Sequence, residues 1–352
     1  INYITSRRAS DLISVEFEIM TYAADPIDFS QTGNVDEVEG LVERLCTAGL
    51  WTAFRTRPYS KLADPETRPA AIYITAMDTE PLAPDAAVII NDDPEAFRVG
   101  LDAVARLSHG KTYLCHKAGA EIPNIEDSPV QPAAFSGPHP AGLPGTHMHF
   151  LEPPDGTKTV WTIWYQDVIA IGRLLQKGQI DPTRIVGITG PLCHKPRLVR
   201  TVMGASMVEL TQGEYDEGTP ARLISGSILS GRAGEGPSAY LGRYDRQVTI
   251  IEEDREQITL GWIRPMMNKF SYQPVLGSAF SKKLYALTSN LNGGRRAMVP
   301  TGTFEELMPQ DFLPTQLLRS LLVMDTDTAQ ALGVLELDEE DLGLVGFACP
   351  AK

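Results

Sequence analysis

Ala70-Ala-Ile-Tyr-Ile-Thr-Ala76, then Pro94-Glu-Ala-Phe-Arg-Val-Gly-Leu-Asp-Ala-Val-Ala105 and Thr112-Tyr-Leu-Cys115, is the stretch whose reading decides the fold. The first run is short, apolar and partly β-branched, as a strand buried on both faces must be. Pro94 suits the first turn of a helix, and Phe97, Leu101, Val104 and Ala105 fall on one face of it. The third run is again a strand. Strand, helix, strand in this order implies a parallel pair joined by a crossover.

The same alternation extends in both directions. Val35 to Ala48 reads as a helix, with Val38, Leu41, Val42 and Leu45 at helical spacing and Gly49 as its stop. Val88 to Asn91 reads as a further short strand. Pro123 to Pro154 is dense in Pro and Gly and is expected to hold little regular structure. Val160 to Trp164 is a strand, and Asp167 to Lys177 a helix with Val168, Ile171, Leu174 and Leu175 on one face. Arg184 to Thr189 is a buried strand ending at Gly190-Pro191. Residues 36–200 therefore predict a mainly parallel, Rossmann-like α/β sheet.

The pattern changes near Arg200. Ser206 to Leu210, a turn at Gly213 to Gly218, a short helix at Thr219 to Ile224, and strands near Ala239 and at Val248 to Ile251 predict a small α+β domain over 201–260. Helices are expected over 261–352, with Leu317, Leu318, Leu321 and Leu322 on one face and a short helix at Asp327 to Leu335. Near the start, Ile13, Val15, Phe17 and Ile19 alternate with polar residues as in a half-buried strand. One strand cannot bury its face alone, so 1–35 reads as the remnant of a β domain whose earlier part is absent.

Bulk properties narrow the function. The 352 residues are 43% hydrophobic, enough for two or three domains. No apolar run is long enough to span a bilayer, and Ile1 to Arg8 has no signal-peptide core. The net charge of −14 repels nucleic-acid phosphates and anionic lipid, so membrane association is expected only through a protein partner. Cys46, Cys115, Cys193 and Cys349 form no CxxC and are read as reduced, mostly buried thiols.

Four segments bear on chemistry. A dinucleotide site needs G-x-G-x-x-G between strand and helix, but Met77-Asp-Thr-Glu-Pro81 follows the first strand instead. Gly226 to Gly231 and Gly231 to Gly236 lack that context and read as turns; a Walker A motif is absent. Trp51-Thr-Ala-Phe-Arg-Thr-Arg-Pro-Tyr-Ser-Lys61 is aromatic and basic. Trp51, Phe54 and Tyr59 with Arg55, Arg57 and Lys61 suit a planar, electron-rich group. An ordinary loop whose aromatics cap the sheet fits these residues equally well.

Ser136-Gly-Pro-His-Pro-Ala-Gly-Leu-Pro-Gly-Thr-His-Met-His-Phe150 holds His139, His147 and His149. They allow a metal or proton-transfer site. No Cys or carboxylate lies among them to complete a ligand set, which favours a shaped docking loop. Past Arg319 there is no basic residue before Lys352, while Asp325, Asp327, Glu336, Asp338, Glu339, Glu340 and Asp341 are acidic. That end lacks EF-hand spacing and is expected to be a solvated, self-repelling face.

Several of these segments carry a resemblance. Ser136 to His147, Gly49 to Lys61, Ala76-Met-Asp-Thr-Glu-Pro-Leu-Ala83, Lys195-Pro-Arg197, and Leu335-Glu-Leu-Asp-Glu-Glu-Asp341 with Cys349-Pro350 resemble the A-subunit family of the bacterial Na+-translocating NADH:quinone reductase. The likeness spans nearly the whole chain and implies an N-terminal lipoyl-like β domain, of which 1–35 would be the remnant, and a continuation past Pro350. It also implies a layout like the FMN-bearing component of respiratory complex I: Rossmann-like domain, β-grasp (SLBB-like) domain, C-terminal helical domain. Where that relative has a Gly-rich loop cradling FMN, this chain has Trp51 to Lys61, whose side chains deny backbone approach to phosphate. Of its iron–sulfur cysteine cluster only Cys349 has a counterpart.

The resemblance thus implies a cofactor-free peripheral subunit on the cytoplasmic face of the inner membrane. FMN, FAD, riboflavin, iron–sulfur centres and NADH would sit on the other members of a six-subunit complex. The chain would help ubiquinone bind beside the membrane-embedded B-subunit, with Trp51, Phe54, Arg55, Arg57, Tyr59 and Lys61 near the quinone. Two alternatives stand: a purely structural docking subunit, or a stand-alone flavin or NADH oxidoreductase, which would be yellow or NADH-responsive.

Overall fold

The computed structural model describes residues 27–122, 128–256, 258–259, 280, 284–290 and 296–349. The strand expected at Ile13 to Ile19 lies outside them, as does most of 260–295. The chain divides into two compact units, one within 24–183 and 300–345, the other taking in 184–299 and 346–349.

The first unit is built on a five-stranded sheet. Its strands are β1 (Arg55–Arg57), β2 (Ala71–Ala76), β3 (Lys111–Lys117), β4 (Gln131–Phe135) and β5 (Val160–Trp164), in the order β1-β5-β2-β3-β4. β2 pairs in parallel with both β3 and β5, β3 pairs in parallel with β4, and β1 runs antiparallel to β5. All six residues of β2 are buried, as its uninterrupted apolar sequence requires of a central strand.

The helices of this unit are α1 (Val38–Thr47), α2 (Ala86–Ile90), α3 (Pro94–Ala105), α4 (Pro144–Leu151) and α5 (Tyr165–Lys177). Asp93 caps α3 by accepting from the Ala96 N–H and also pairs with Arg173 of α5 at 2.7 Å. α3 and α5 approach so closely that two glycines are obligatory. A Cβ on Gly100 would lie 2.1 Å from the Val168 carbonyl oxygen, and one on Gly172 would lie 1.8 Å from that of Ala96. After the second unit, which holds α6 (Met207–Leu210), the chain returns as α7 (Thr303–Leu307), α8 (Pro314–Leu322) and α9 (Thr326–Ala331).

That second unit holds β6 (Thr183–Thr189), β7 (Arg197–Val202), α6 (Met207–Leu210), β8 (Ala221–Ser225), β9 (Arg232–Ala233) and β10 (Gln247–Glu252), with sheet order β7-β6-β10-β8-β9. β10 is parallel to β6 and antiparallel to β8. Val186, Met207, Leu241 and Val248 form one cluster of its core, and Ile188, Cys193 and Ile250 another.

The structure departs from the sequence reading at identifiable places. Val88 to Asn91 is not a strand: Asp85 caps α2, and Ala86, Ile89 and Ile90 bury one helical face. A short apolar run does not by itself distinguish the two. Within the segment expected to hold little regular structure, the described residues 128–154 are more regular than expected. Pro132 is accommodated because β4 is an edge strand, and Pro144 opens α4, where its missing N–H has no helical partner to lose.

Further differences concern partners. Arg184 to Thr189 belongs to the second sheet, because its neighbour is β10 and not β2. The helix expected at Thr219 to Ile224 is strand β8. The α8 leucines do not share a buried face: Leu317 is buried, whereas Leu321 and Leu322 are exposed. Cys46 is exposed, while Cys115 and Cys193 are buried.

The close helix pair yields a direct expectation. Gly100→Ala or Gly172→Ala must push α3 and α5 apart, and each should lower stability by about 1–3 kcal/mol, the usual range for overpacking. The shift in urea midpoint measures it; an unchanged midpoint would show that the helices separate freely.

Candidate functional site

The two segments singled out in the sequence, 51–61 and 136–150, meet the acidic run 336–341 inside the first unit. At the centre is Arg57, the last residue of β1, only 2% exposed. Its Nη1 donates to Asp341 Oδ2 at 3.0 Å and to the Glu336 carbonyl at 3.3 Å; its Nη2 donates to Glu340 Oε1 at 3.0 Å. Asp338 Oδ2 lies 3.4 Å from Nη2. Burial opposes the Arg57 charge, but Asp341, Asp338 and Glu340 outweigh it and hold its pKa above the ordinary arginine value.

Each carboxylate has its own support. Asp341, also buried, is pushed up by burial against the pull of Arg57. Burial also opposes the charge on Asp338, yet Arg57, the Ser60 hydroxyl and the Glu339 N–H together hold its pKa down. Asp341 Oδ2 accepts the Asp338 N–H at 2.9 Å, closing a capping box around the 3-10 turn Glu339–Leu342. Asp341 reaches Arg57 across α4 only because residue 145 is glycine: a Cβ there would lie 2.2 Å from its Oδ1. Asp325, Asp327 and Glu339 are exposed as expected, but Asp338, Glu340 and Asp341 are not part of a solvated face. These three are the counter-charge of a buried arginine, which a run of acids without nearby bases does not announce.

This cluster shapes the turn that follows β1. Ser60 donates its hydroxyl to Asp338, while Arg55 donates to the Ser60 Oγ at 2.7 Å and to its carbonyl at 3.2 Å. Tyr59 and Ser60 are held at φ +75° and +48°, a region such side chains seldom occupy. Tyr59 is thereby displayed at 66% exposure, with Lys61 Nζ 5.5 Å from its ring centroid.

The remaining aromatic candidates face inward. Trp51 and Phe54 are buried, their rings tilted at 47° with centroids 5.0 Å apart and both against Trp161, and the indole N–H of Trp51 donates to the Ala63 carbonyl at 2.8 Å. Of the six candidates in this segment, Trp51, Phe54 and Arg57 are built into the core. Arg55 is half-buried under the turn, and Tyr59 and Lys61 are exposed.

The histidines engage three different partners. His139 Nδ1 lies 3.3 Å from the Thr79 hydroxyl, which also accepts the Gly142 N–H at 2.8 Å. Thr79 follows β2, so this loop folds over the carboxyl end of the parallel sheet, where open α/β sheets ordinarily offer their ligand crevice. His147 is fully buried on α4 against Phe135, and its Nε2 donates to the Ala141 carbonyl at 3.0 Å. Burial lowers its pKa to about 3. His149 sits between Glu336, 2.8 Å from its Nδ1, and Asp311, 3.1 Å from its Nε2, with Phe312 against its ring. Among the described residues, no group of His, Cys, Asp and Glu is placed to hold a metal ion. Sequence reasoning missed Thr79, Glu336, Asp338, Glu340 and Asp341 as partners. Only Gly145, a residue type that helices disfavour, hinted that something passes close to α4.

This pair of modules, an α/β unit with a loop-closed sheet edge followed by a smaller sheet domain, matches two family models. They are described as the NqrA second alpha/beta domain, over residues 37–180, and the NQRA C-terminal domain, over 185–235. Curated relatives extend the match. The A-subunit of the Na(+)-translocating NADH-quinone reductase from Rhodopirellula baltica is 48% identical over 96% of this chain and 76% of its own length. Proteins of the same name from Pasteurella multocida and Yersinia pseudotuberculosis are 51% and 52% identical, each over 89% of this chain and 70% of their own. The chain belongs to the A-subunit family of the Na+-translocating NADH-quinone reductase. A crystal structure of an air-oxidised NAD+-reducing [NiFe]-hydrogenase matches 63% of this chain and 48% of that chain at 13% identity, with a TM-score of 0.47, a likeness that carries no argument.

Two expectations come from this geometry. Arg57→Ala leaves Asp341 buried without its counter-ion and should destabilise the unit by about 3–5 kcal/mol. Arg57→Met combined with Asp341→Leu should recover much of that loss. Chemical denaturation of the single and double variants checks both, and a double variant no better than Arg57→Ala would rule out the ionic account.

The second concerns His147. The unfolded chain takes up a proton below about 6.5, whereas the folded chain resists it down to about 3. Stability from this residue is therefore complete above 6.5 and declines as pH falls, by about 1.4 kcal/mol per unit. Between pH 7.5 and 5 the wild type should lose about 2 kcal/mol more than His147→Phe. Equal losses would mean that this imidazole is protonated in the fold.

Proposed function

We propose that this chain acts as the A-subunit of a Na+-pumping NADH:quinone reductase. It is peripheral, on the cytoplasmic face of a bacterial inner membrane, and docked to the other five subunits, chiefly the membrane-embedded B-subunit. Its folds are read as Rossmann-like and β-grasp (SLBB-like), with a helical C-terminal part. On this reading it binds no FMN, FAD, riboflavin, iron–sulfur centre or NADH, and contributes to ubiquinone binding. Among the described residues no helix is long and apolar enough to cross a membrane, so sodium translocation itself falls to other subunits.

The observation that carries the quinone reading is the Tyr59–Lys61 turn. An exposed phenol ring with an ammonium beside it is held in a demanding backbone conformation by a buried ion cluster. Such conformations persist where the surroundings enforce them, and they gather at binding sites. Tyr59 and Lys61 stack on and polarise the quinone, Arg55 supports the turn, and Arg57 with Trp51 and Phe54 anchors it.

A purely structural docking role is the second reading. It is favoured by the commitment of Trp51, Phe54 and Arg57 to the core. The two separate in the assembled complex. On the quinone reading, Tyr59→Leu and Lys61→Ala each raise the quinone KM about tenfold, the equivalent of about 1.4 kcal/mol. NADH oxidation by an artificial electron acceptor stays unchanged. An unaltered quinone KM and inhibitor sensitivity in both variants would leave the docking role.

A further inference from the structure

The carboxyl end of α8 carries large apolar side chains into solvent. Leu321, Leu322, Val323 and Met324 are 37, 68, 74 and 82% exposed, although Leu317 one turn earlier is buried. The helix stops in a Schellman arrangement: the Asp325 N–H donates to the Ser320 carbonyl at 2.9 Å and the Met324 N–H to that of Leu321 at 3.2 Å. Met324 occupies the left-handed position of this motif, at φ +59°. Glycine is the residue that fits there without a Cβ penalty. A long apolar side chain has been placed where the backbone disfavours one, and it points into water.

The surroundings of this tip are acidic. Asp325 and Asp327 follow it directly and are exposed. Arg319 is the one base on α8, and none follows it before Lys352. An apolar centre in an acidic frame is complementary to an apolar surface rimmed by lysine and arginine. It is a poor match for an anionic bilayer, which would repel both the frame and a chain of net charge −14. Cytoplasmic segments of membrane-embedded proteins carry an excess of lysine and arginine.

We propose that the α8 tip, Leu321 to Met324, docks a lysine- and arginine-bearing cytoplasmic segment of a membrane-embedded protein partner. The inference rests on the reading of the chain as a subunit of a membrane complex. Burial of the four side chains supplies affinity, and the acidic frame supplies selection.

The test uses the full-length chain added back to bacterial membranes that carry the complex depleted of it. Leu322→Asp should weaken binding about tenfold, the scale of one central interface residue, and raising the salt should weaken wild-type binding. Met324→Gly should weaken binding while leaving the thermal midpoint of the free chain unchanged or higher, which separates docking from folding. Both variants binding as well as the wild type would overturn the proposal. So would wild-type binding to protein-free phosphatidylglycerol vesicles, or a wild-type dimer that Leu322→Asp dissociates. If the wild type binds these membranes no better than membranes without the complex, the reading as a member of that complex itself fails. If it binds and the variants match it, only the docking assignment fails.

Discussion

A guanidinium with almost no access to water must be surrounded by negative charge or it will not stay in the fold. Arg57 meets that demand with Asp341, Glu340 and Asp338, all from one short segment. Much of the first unit follows from it. The segment 336–341 has to lie against β1. Residue 145 has to lack a side chain for Asp341 to pass α4. Ser60 is captured by Asp338, and the turn that displays Tyr59 takes its shape from that capture. His149, bonded to Glu336, ties α4 into the same ionic group.

The parallel sheet was legible in the sequence because its cause is local. Ala71 to Ala76 is apolar at every position but Thr75, and only a strand covered on both sides uses such a run. α3 was legible for the same reason, through Pro94 and its apolar stripe. The failures share a different cause. Whether Arg184 to Thr189 joins the first sheet or the second is settled by β10, some sixty residues further on, and nothing in the strand itself says so. Pro132 and Pro144 looked like interruptions but sit where an edge strand and a helix start tolerate them.

The candidate site was legible as segments and illegible as a site. Both loops stood out by composition, and the family resemblance rested on them. Composition could not say which side of each loop faces water. Trp51, Phe54 and Arg57 suit a ligand by chemistry, and the fold uses the same properties internally. The three histidines follow the same logic. Their spacing allowed a shared ligand, whereas the structure gives His139 to Thr79, His147 to a backbone carbonyl and His149 to two carboxylates. A pairing such as Arg57 with Asp341, 284 residues apart, leaves no trace in either local pattern.

That separation has a consequence for the order in which the protein is made. The unit containing Arg57 is interrupted by the whole of 184–299, so its last pieces leave the ribosome long after its sheet. Most of the inserted unit emerges before 300–345 and can begin to fold first. Until residues 338–341 emerge, Arg57 lacks their counter-charges. Closing so long a loop makes this the slow, late contact of the unit. The nascent chain therefore carries an uncompensated cation through most of its synthesis, a window in which a chaperone or a waiting partner protein has its best access.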